Sequence, residues 1–457
     1  MNTMPKENYQ FLTYKLLTLF FFFTSLLFSQ RGFLLDSELT KDKIKFELAN
    51  NLIVIPVELN GEKLSFVLDT GVGTTIIFSL ENKKYLELKN ISKIKLRGLG
   101  GGDALEGIKS VNNQLKIGNS LSRNHTVYMV FDDSIDLSSR MGFPVHGIIG
   151  YDFFKNFVIE VNYASKILKV YNPESYTYKK CKKCYDTVLD FNNGKRPYVK
   201  ARYESSTGLV DLNLLMDSGS GSALWLFENA KKNIRIPQNS FVDFLGKGFN
   251  GDIYGKKTKV EGLRIGDFKI KNVTTSFPDS LYIRGVSKLR RQGSLGGGVL
   301  KRFNVVVNYP DKKIRFKKNK YFKRPFYYNM SGLTIQHTGV RVQKQLRNSK
   351  SAVSFSFETR GGKEEGDMVS FTEYKSNFHY SLAKQYEVVD VRKGSSAAAV
   401  GLKKGDVLLA INGKNADEYK LSDLNDLFYS KEGKKIRLRI ERLGVELTYT
   451  FRLKKVI

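Results

Sequence analysis

Apolar and polar residues alternate along most of the chain with a period of two, the pattern of half-buried strands. The stretches VIPVELNGEKLSFVLD from Val54 and YVKARYESSTGLVDLNLLMD from Tyr198 each predict a hairpin that runs into an aspartate. In the first, Leu64, Phe66 and Leu68 share one face while Val67 and Asp69 share the other, so the strand delivers one carboxylate to the turn at its end. The second hairpin does the same with Asp217. Helical patterns are few: short ones follow Gly150 and Gly298, and Leu421–Tyr429 is amphipathic. The expected fold is mostly β.

These hairpins belong to a long internal repeat. LSFVLDTGVGTTIIF from Leu64 and LNLLMDSGSGSALWLF from Leu212 start 148 residues apart, as do Leu115-Lys-Ile-Gly-Asn119 and Leu263-Arg-Ile-Gly-Asp267. Between these blocks each half carries a glycine-rich segment, LRGLGGGD from Leu96 and FLGKGFNGD from Phe244. Each half closes on an apolar pair before glycine, HGIIGYDFF from His146 and GSLGGGVL from Gly293. A single Asp-Thr-Gly is common turn chemistry. Two copies in matching frames predict paired carboxylates.

The motifs FVLDTG, LLMDSG, GIIG and SLGG resemble those of the bilobal aspartic proteases, in particular bacterial retropepsin-like proteases with a C-terminal PDZ domain. The resemblance implies catalytic Asp69 and Asp217, with Thr70 and Ser218 hydrogen-bonded across the lobe interface. It further implies that Ile148-Ile149-Gly150 and Leu295-Gly296-Gly297 thread beside the Asp turns in a psi-shaped loop, and that the glycine-rich hairpins are flaps. Gly71 and Gly219 permit the close backbone approach such a junction demands.

The chemistry follows from opposing two carboxylates. Like charges about 3 Å apart cannot both ionise, so the pair holds one proton and titrates as a unit. The ionised member takes a proton from a shared water, which attacks a peptide carbonyl, while the protonated member donates to the oxyanion. Neither a metal nor a cofactor is required. Three residues after the Asp, the second half has Ser220, a hydroxyl donor, where the first has Val72; this predicts that Asp217 ionises more readily and Asp69 keeps the proton.

The third unit starts near Tyr321. EVVDVRKGSSAAAVGLKKGDVLLAINGK from Glu387 resembles the PDZ domain of bacterial proteases: Ser395-Ser396 caps a short helix, Gly401 ends it, and Gly405-Asp406 turns into a strand. By the same resemblance Ser331, Gly332, Leu333, Thr334 and Ile335 receive a peptide C-terminus, the N–H groups of Gly332 and Leu333 binding its carboxylate. The expected domains are a signal peptide at 1–29, lobes at 30–172 and 197–320 joined by a linker at 173–196, and the PDZ unit at 321–457. A polar insertion at about 336–382 reads as an extra hairpin around Gly361-Gly362.

Composition narrows the alternatives. At 457 residues with 41% hydrophobic content, several cores can be built. The formal charge of +30 is scattered over strand ends and turns, with no basic helix or aromatic-basic motif, which argues for a solvated surface and against nucleic-acid binding. The two cysteines, Cys181 and Cys184, and four scattered His do not compose a zinc site; a local disulfide between the lobes is expected. Lys6 and Lys15 precede LLTLFFFFTSLLF, a signal-peptide pattern that implies export to the periplasm, the outer envelope or the medium. The partners expected are polypeptide substrates and peptide C-termini, and nothing in the sequence sets an oligomeric state. Two other readings fit the repeat: a catalytically silent bilobal peptide binder of the cell envelope, and a β scaffold.

Overall fold

The computed structural model describes residues 32–81, 83, 85–96, 105–131, 137–192, 194–205, 208–248, 251–283, 291–346, 351–358, 368–375 and 378–457. The expected signal peptide, the tip of the first glycine-rich hairpin and Gly361-Gly362 lie outside these residues. Strands dominate, and the helices are short.

Each half of the repeat builds its own sheet. In the first, the strand Gly147–Ile149 inserts between Glu62–Leu68, to which it is parallel, and Thr75–Ile77, to which it is antiparallel. In the second, Gly293–Gly296 lies in the same way between Gly208–Asp217 and Leu224–Leu226. The order expected from alternation therefore appears twice, with a parallel crossing that alternation alone does not predict.

The register corrects one equivalence. Ile149 stands opposite Leu68, and Leu295 opposite Met216, so Gly150 corresponds to Gly296 and not to Gly297. Gly297 instead occupies the place of Tyr151: its N–H donates to the Ser220 carbonyl as that of Tyr151 donates to Val72. Short helices, Tyr151–Phe154 and Gly297–Leu300, follow at these points.

A further sheet joins the halves. Val158–Asn162 pairs antiparallel with Phe303–Asn308, and Ile167–Tyr171 and Lys313–Lys318 flank them. The connection between the lobes is part of this sheet: Cys184–Val188 pairs with Lys313–Lys318 as an edge strand, and Cys181 and Cys184 are disulfide-bonded at its start. One apolar core runs through both halves, from Phe33 and Ile55 to Leu295 and Phe316.

The C-terminal unit has its own core around Leu333, Tyr386, Leu408, Phe428 and Leu438. Leu333–Leu346 is an edge strand beside Phe378–Val391, and the helix Leu421–Phe428 flanks it. Ser395 accepts from the Ala398 N–H at the start of the helix Ser396–Ala399, and Gly401 ends that helix at a φ of 88°. The insertion prolongs the edge pair and adds a separate hairpin, Ser351–Glu358 with Met368–Lys375.

This unit is clamped to both lobes. Phe241, on the strand Ser240–Gly248 of the second glycine-rich hairpin, packs against Tyr328 with ring centres 5.5 Å apart, and the Arg392 guanidinium lies 4.4 Å above Phe241 while pairing with Asp243 at 3.4 Å. On the other lobe, Gly142, at the end of the helix Ser138–Met141, abuts Leu421 so closely that an added methyl would stand 2.7 Å from its Cβ.

Candidate active site

The strand Glu62–Leu68 ends on Asp69, and Gly208–Asp217 ends on Asp217 itself. The Asp69 N–H donates to the Ile149 carbonyl at 2.8 Å, which ties the turn to the inserted strand. A methyl group added at Gly150 would collide with the carbonyl oxygens of Asp69 and Val72, so only glycine fits against the turn.

The two turns meet. A methyl group at Gly71 would stand 3.1 Å from a carboxylate oxygen of Asp69 and 3.1 Å from one of Asp217, and a methyl at Gly219 would overlap the Asp69 carboxyl. Underneath, the Thr70 N–H donates to Ser218 Oγ and the Ser218 N–H to Thr70 Oγ1, each at 3.0 Å. Each hydroxyl then donates onward into the opposite lobe, Thr70 to the Met216 carbonyl at 2.6 Å and Ser218 to the Leu68 carbonyl at 2.7 Å. Both residues are buried. All four polar groups are satisfied reciprocally, so the lobes cannot slide past each other here without leaving buried donors unmade.

Two further contacts, invisible to motif reading, repeat the symmetry. Asn51 Nδ2 donates to the Gly221 carbonyl at 2.6 Å, and Lys195 Nζ to the Gly73 carbonyl at 3.2 Å. Gly73 and Gly221 are 148 residues apart, so the turn before each hairpin braces the Asp loop of the other lobe. The repeat spacing marks the two acceptors, but Asn51 and Lys195 differ in type and fall outside that spacing, so the donors were not legible in it.

Electrostatics separate the two acids. Burial pushes the Asp69 carboxyl up to about 7; the neighbouring Asp217 charge adds to the rise, and the N–H groups of Gly71 and Gly219 oppose it. Burial also raises Asp217, but Arg291, Arg196 and the N–H groups of Gly219 and Ser220 pull it back. This environment favours an ionised Asp217 beside a protonated Asp69. Ser220 acts here through its backbone N–H, whereas its hydroxyl was the expected donor.

The acids open into a cavity of about 1900 Å³. Its walls include Phe244, Leu245 and Ile253 of the second glycine-rich hairpin. Gly332, Leu333, Thr334, Ile335 and Gln336 of the C-terminal unit also line it, as do Ser422, Asn425 and Asp426 of the adjacent helix. The edge strand and the two acids thus share one space. The loop before the strand is internally satisfied: Asn329 Oδ1 accepts from the N–H groups of Ser331 and Gly332, and Ser331 Oγ from that of Leu333. The two N–H groups expected to hold a peptide carboxylate are therefore already used, because asparagine and serine side chains compete for nearby backbone donors.

Residues 55–153 match the family model described as aspartyl protease, and residues 387–442 match the one described as PDZ domain. Among solved structures, the aspartic proteinase from Irpex lacteus is similar at 12% identity and a TM-score of 0.40, over 62% of this chain and 99% of that one. No curated protein matches the chain. The first match spans Asp69 and its inserted strand but ends before Asp217, whose equivalence rests on the repeat and the paired turns. This chain carries an aspartyl protease domain and a C-terminal PDZ domain.

Proposed function

We propose that the chain is an aspartic endopeptidase that cuts polypeptides with a water held between Asp69 and Asp217. The observation that carries this reading is the reciprocal Thr70–Ser218 pair, which brings both half-buried acids to one point at the floor of a peptide-sized cavity. Asp217, the more acidic partner, accepts the proton of the attacking water, and Asp69 donates to the carbonyl oxygen as negative charge develops there. The tetrahedral species then collapses as the amine leaves with a proton.

The PDZ unit serves the same reaction by lengthening the substrate site. Its edge strand offers unpaired backbone groups to an extended chain, and side chains of the helix Leu421–Phe428 line the opposite side of that groove. With the Gly332 and Leu333 N–H groups already engaged, strand pairing from Thr334 onward supplies the affinity. Substrates are polypeptides and their C-terminal segments. Export, on the strength of the apolar run before Ser29, sets the site of action in the periplasm, the outer envelope or the medium.

Digestion of a peptide library by the purified protein between about pH 3 and 8 tests this reading. Internal cuts that disappear in both Asp69→Asn and Asp217→Asn support it. A library left intact at every pH removes it.

A further inference from the structure

The two halves of the repeat line the cleft with opposite chemistry. In the first half the wall beside Asp69 is apolar: Val67, Ile76, Phe78 and Ile148 line it, with Val145 buried behind them in the same cluster. Sheet register identifies their counterparts beside Asp217. The Phe78 N–H donates to the His146 carbonyl and the Phe227 N–H to that of Gln292; Gly147 stands opposite Ile77 and Gly293 opposite Leu226. Trp225 therefore replaces Ile76, Ser294 replaces Ile148, and Arg291 replaces Val145.

Arg291 is only 7% exposed, and among the described residues its Nε and Nη1 have no hydrogen-bond partner. Its guanidinium lies 5.5 Å from the centre of the Phe227 ring. Trp225 Nε1 and Thr274 Oγ1 are likewise buried without a partner, and all three residues line the cavity that holds the two acids. Trp225 stands opposite Ser294 on one side and Ser276 on the other, which gathers these polar groups on one patch of sheet.

A buried guanidinium costs several kcal/mol of lost hydration unless an acceptor replaces the water. Asp217 offsets part of this through its charge, but no hydrogen bond joins it to the unpartnered nitrogens. The unpartnered N–H groups of Arg291 and Trp225 lie where the twin half has Val145 and Ile76, while the Thr274 hydroxyl has its counterpart in Thr126; what sets this half apart is therefore the guanidinium and the indole, and the missing partner is an acceptor-rich, negatively charged group. Basic side chains also outnumber acidic ones around the cavity, which draws anionic segments in.

We infer that Arg291, with Trp225 and Thr274, forms a subsite for an acidic side chain of the substrate, on the Asp217 side of the scissile bond. The lobe-one wall takes an apolar side chain on the other side. This rests on the protease reading and deepens it: the preferred substrate is a polypeptide with an apolar residue and a Glu or Asp flanking the cut.

The test is a peptide panel in which Glu and Gln are exchanged at each position around the cut. In the wild-type chain, one position should favour Glu by roughly ten- to a hundredfold in kcat/KM, the worth of a charged hydrogen-bond pair. Arg291→Val, which installs the residue of the twin half, should bring the Glu-to-Gln rate ratio to one, a ratio that cancels any common loss of rate from removing its charge beside Asp217; Arg291→Lys, which keeps a charge, should keep part of the preference. Equal rates for Glu and Gln at every position overturn the subsite and leave the protease reading standing. If no peptide is cut at all, the protease reading falls, and calorimetric binding of the same panel still decides: a Glu preference lost in Arg291→Val supports the subsite, and equal affinities remove it.

Discussion

The backbone N–H of Thr70 donates to Ser218 Oγ, and that of Ser218 donates to Thr70 Oγ1, both at 3.0 Å and both out of reach of solvent. This exchange between residues 148 apart makes the relative position of the lobes a matter of hydrogen-bond geometry. Replacing either hydroxyl strands the N–H of the other residue and the carbonyl it served. Thr70→Val and Ser218→Ala should each cost about 1–3 kcal/mol in urea unfolding. The double variant should cost less than the sum, because the two share one network. Additive losses would mean the pair is not coupled.

The pH dependence has a definite sign. The folded Asp69 carboxyl titrates at about 7, above its unfolded value of 3.8, so the native state binds more protons between those values. Its contribution to stability is full below pH 3.8 and is lost as pH rises through 7. Asp69→Asn, which cannot ionise, should raise the melting temperature above wild type at pH 8, with the gain shrinking toward pH 4. A gain that grows on acidification would contradict the assignment.

Gly219 offers a sharper perturbation. Its added methyl would occupy space held by the Asp69 carboxyl. Gly219→Ala should cut peptide hydrolysis at least about a hundredfold, the scale of a 1 Å misplacement of a catalytic group, while far-UV circular dichroism stays unchanged. Hydrolysis within a few-fold of wild type would show that the acids are not held as described.

Much of this site was legible because it was written twice. Asp69 with Asp217 and Thr70 with Ser218 keep one spacing through both halves, and duplication turns weak turn signals into a paired one. The inserted glycines were legible as a motif but misaligned by one residue, since Leu-Gly-Gly-Gly offers several frames and only pairing of Leu295 with Met216 selects one. The strand Cys184–Val188 was not legible: KKCKKCYDTV lacks an apolar face and becomes a strand only because the edge of Lys313–Lys318 is there to pair with. Arg291 was missed for a similar reason. In RRQGSL it reads as one more surface cation, and only the fold buries it.

The PDZ unit is held to the second glycine-rich hairpin through Arg392, Asp243 and Phe241. Arg392→Ala removes the guanidinium from this contact and leaves Asp243 with Lys257 alone. Amide exchange in Ser240–Gly248 should then speed up by about tenfold or more, the equivalent of ~1.4 kcal/mol, and KM should rise for long peptides more than for short ones. Unchanged exchange would mean the hairpin is ordered without the PDZ unit.

His125 sets a limit on the acid side. It is buried, bonded to Thr75 Oγ1 at 2.7 Å, and burial pulls its pKa down to about 3. The unfolded state binds the extra proton between about 6.5 and 3, so this contribution is present above pH 6.5 and is lost as pH falls. His125→Gln should flatten the fall in melting temperature from pH 6 to 4. An identical acid slope would clear His125 of that role.

The most direct measurement is calorimetric binding of a statine-containing peptide, whose hydroxyl takes the place of the attacking water between the two acids. Tight binding to the wild-type chain, lost in Asp69→Asn and in Asp217→Asn alike, is the result expected if one proton-sharing pair grips that water. Binding that survives either substitution would contradict it.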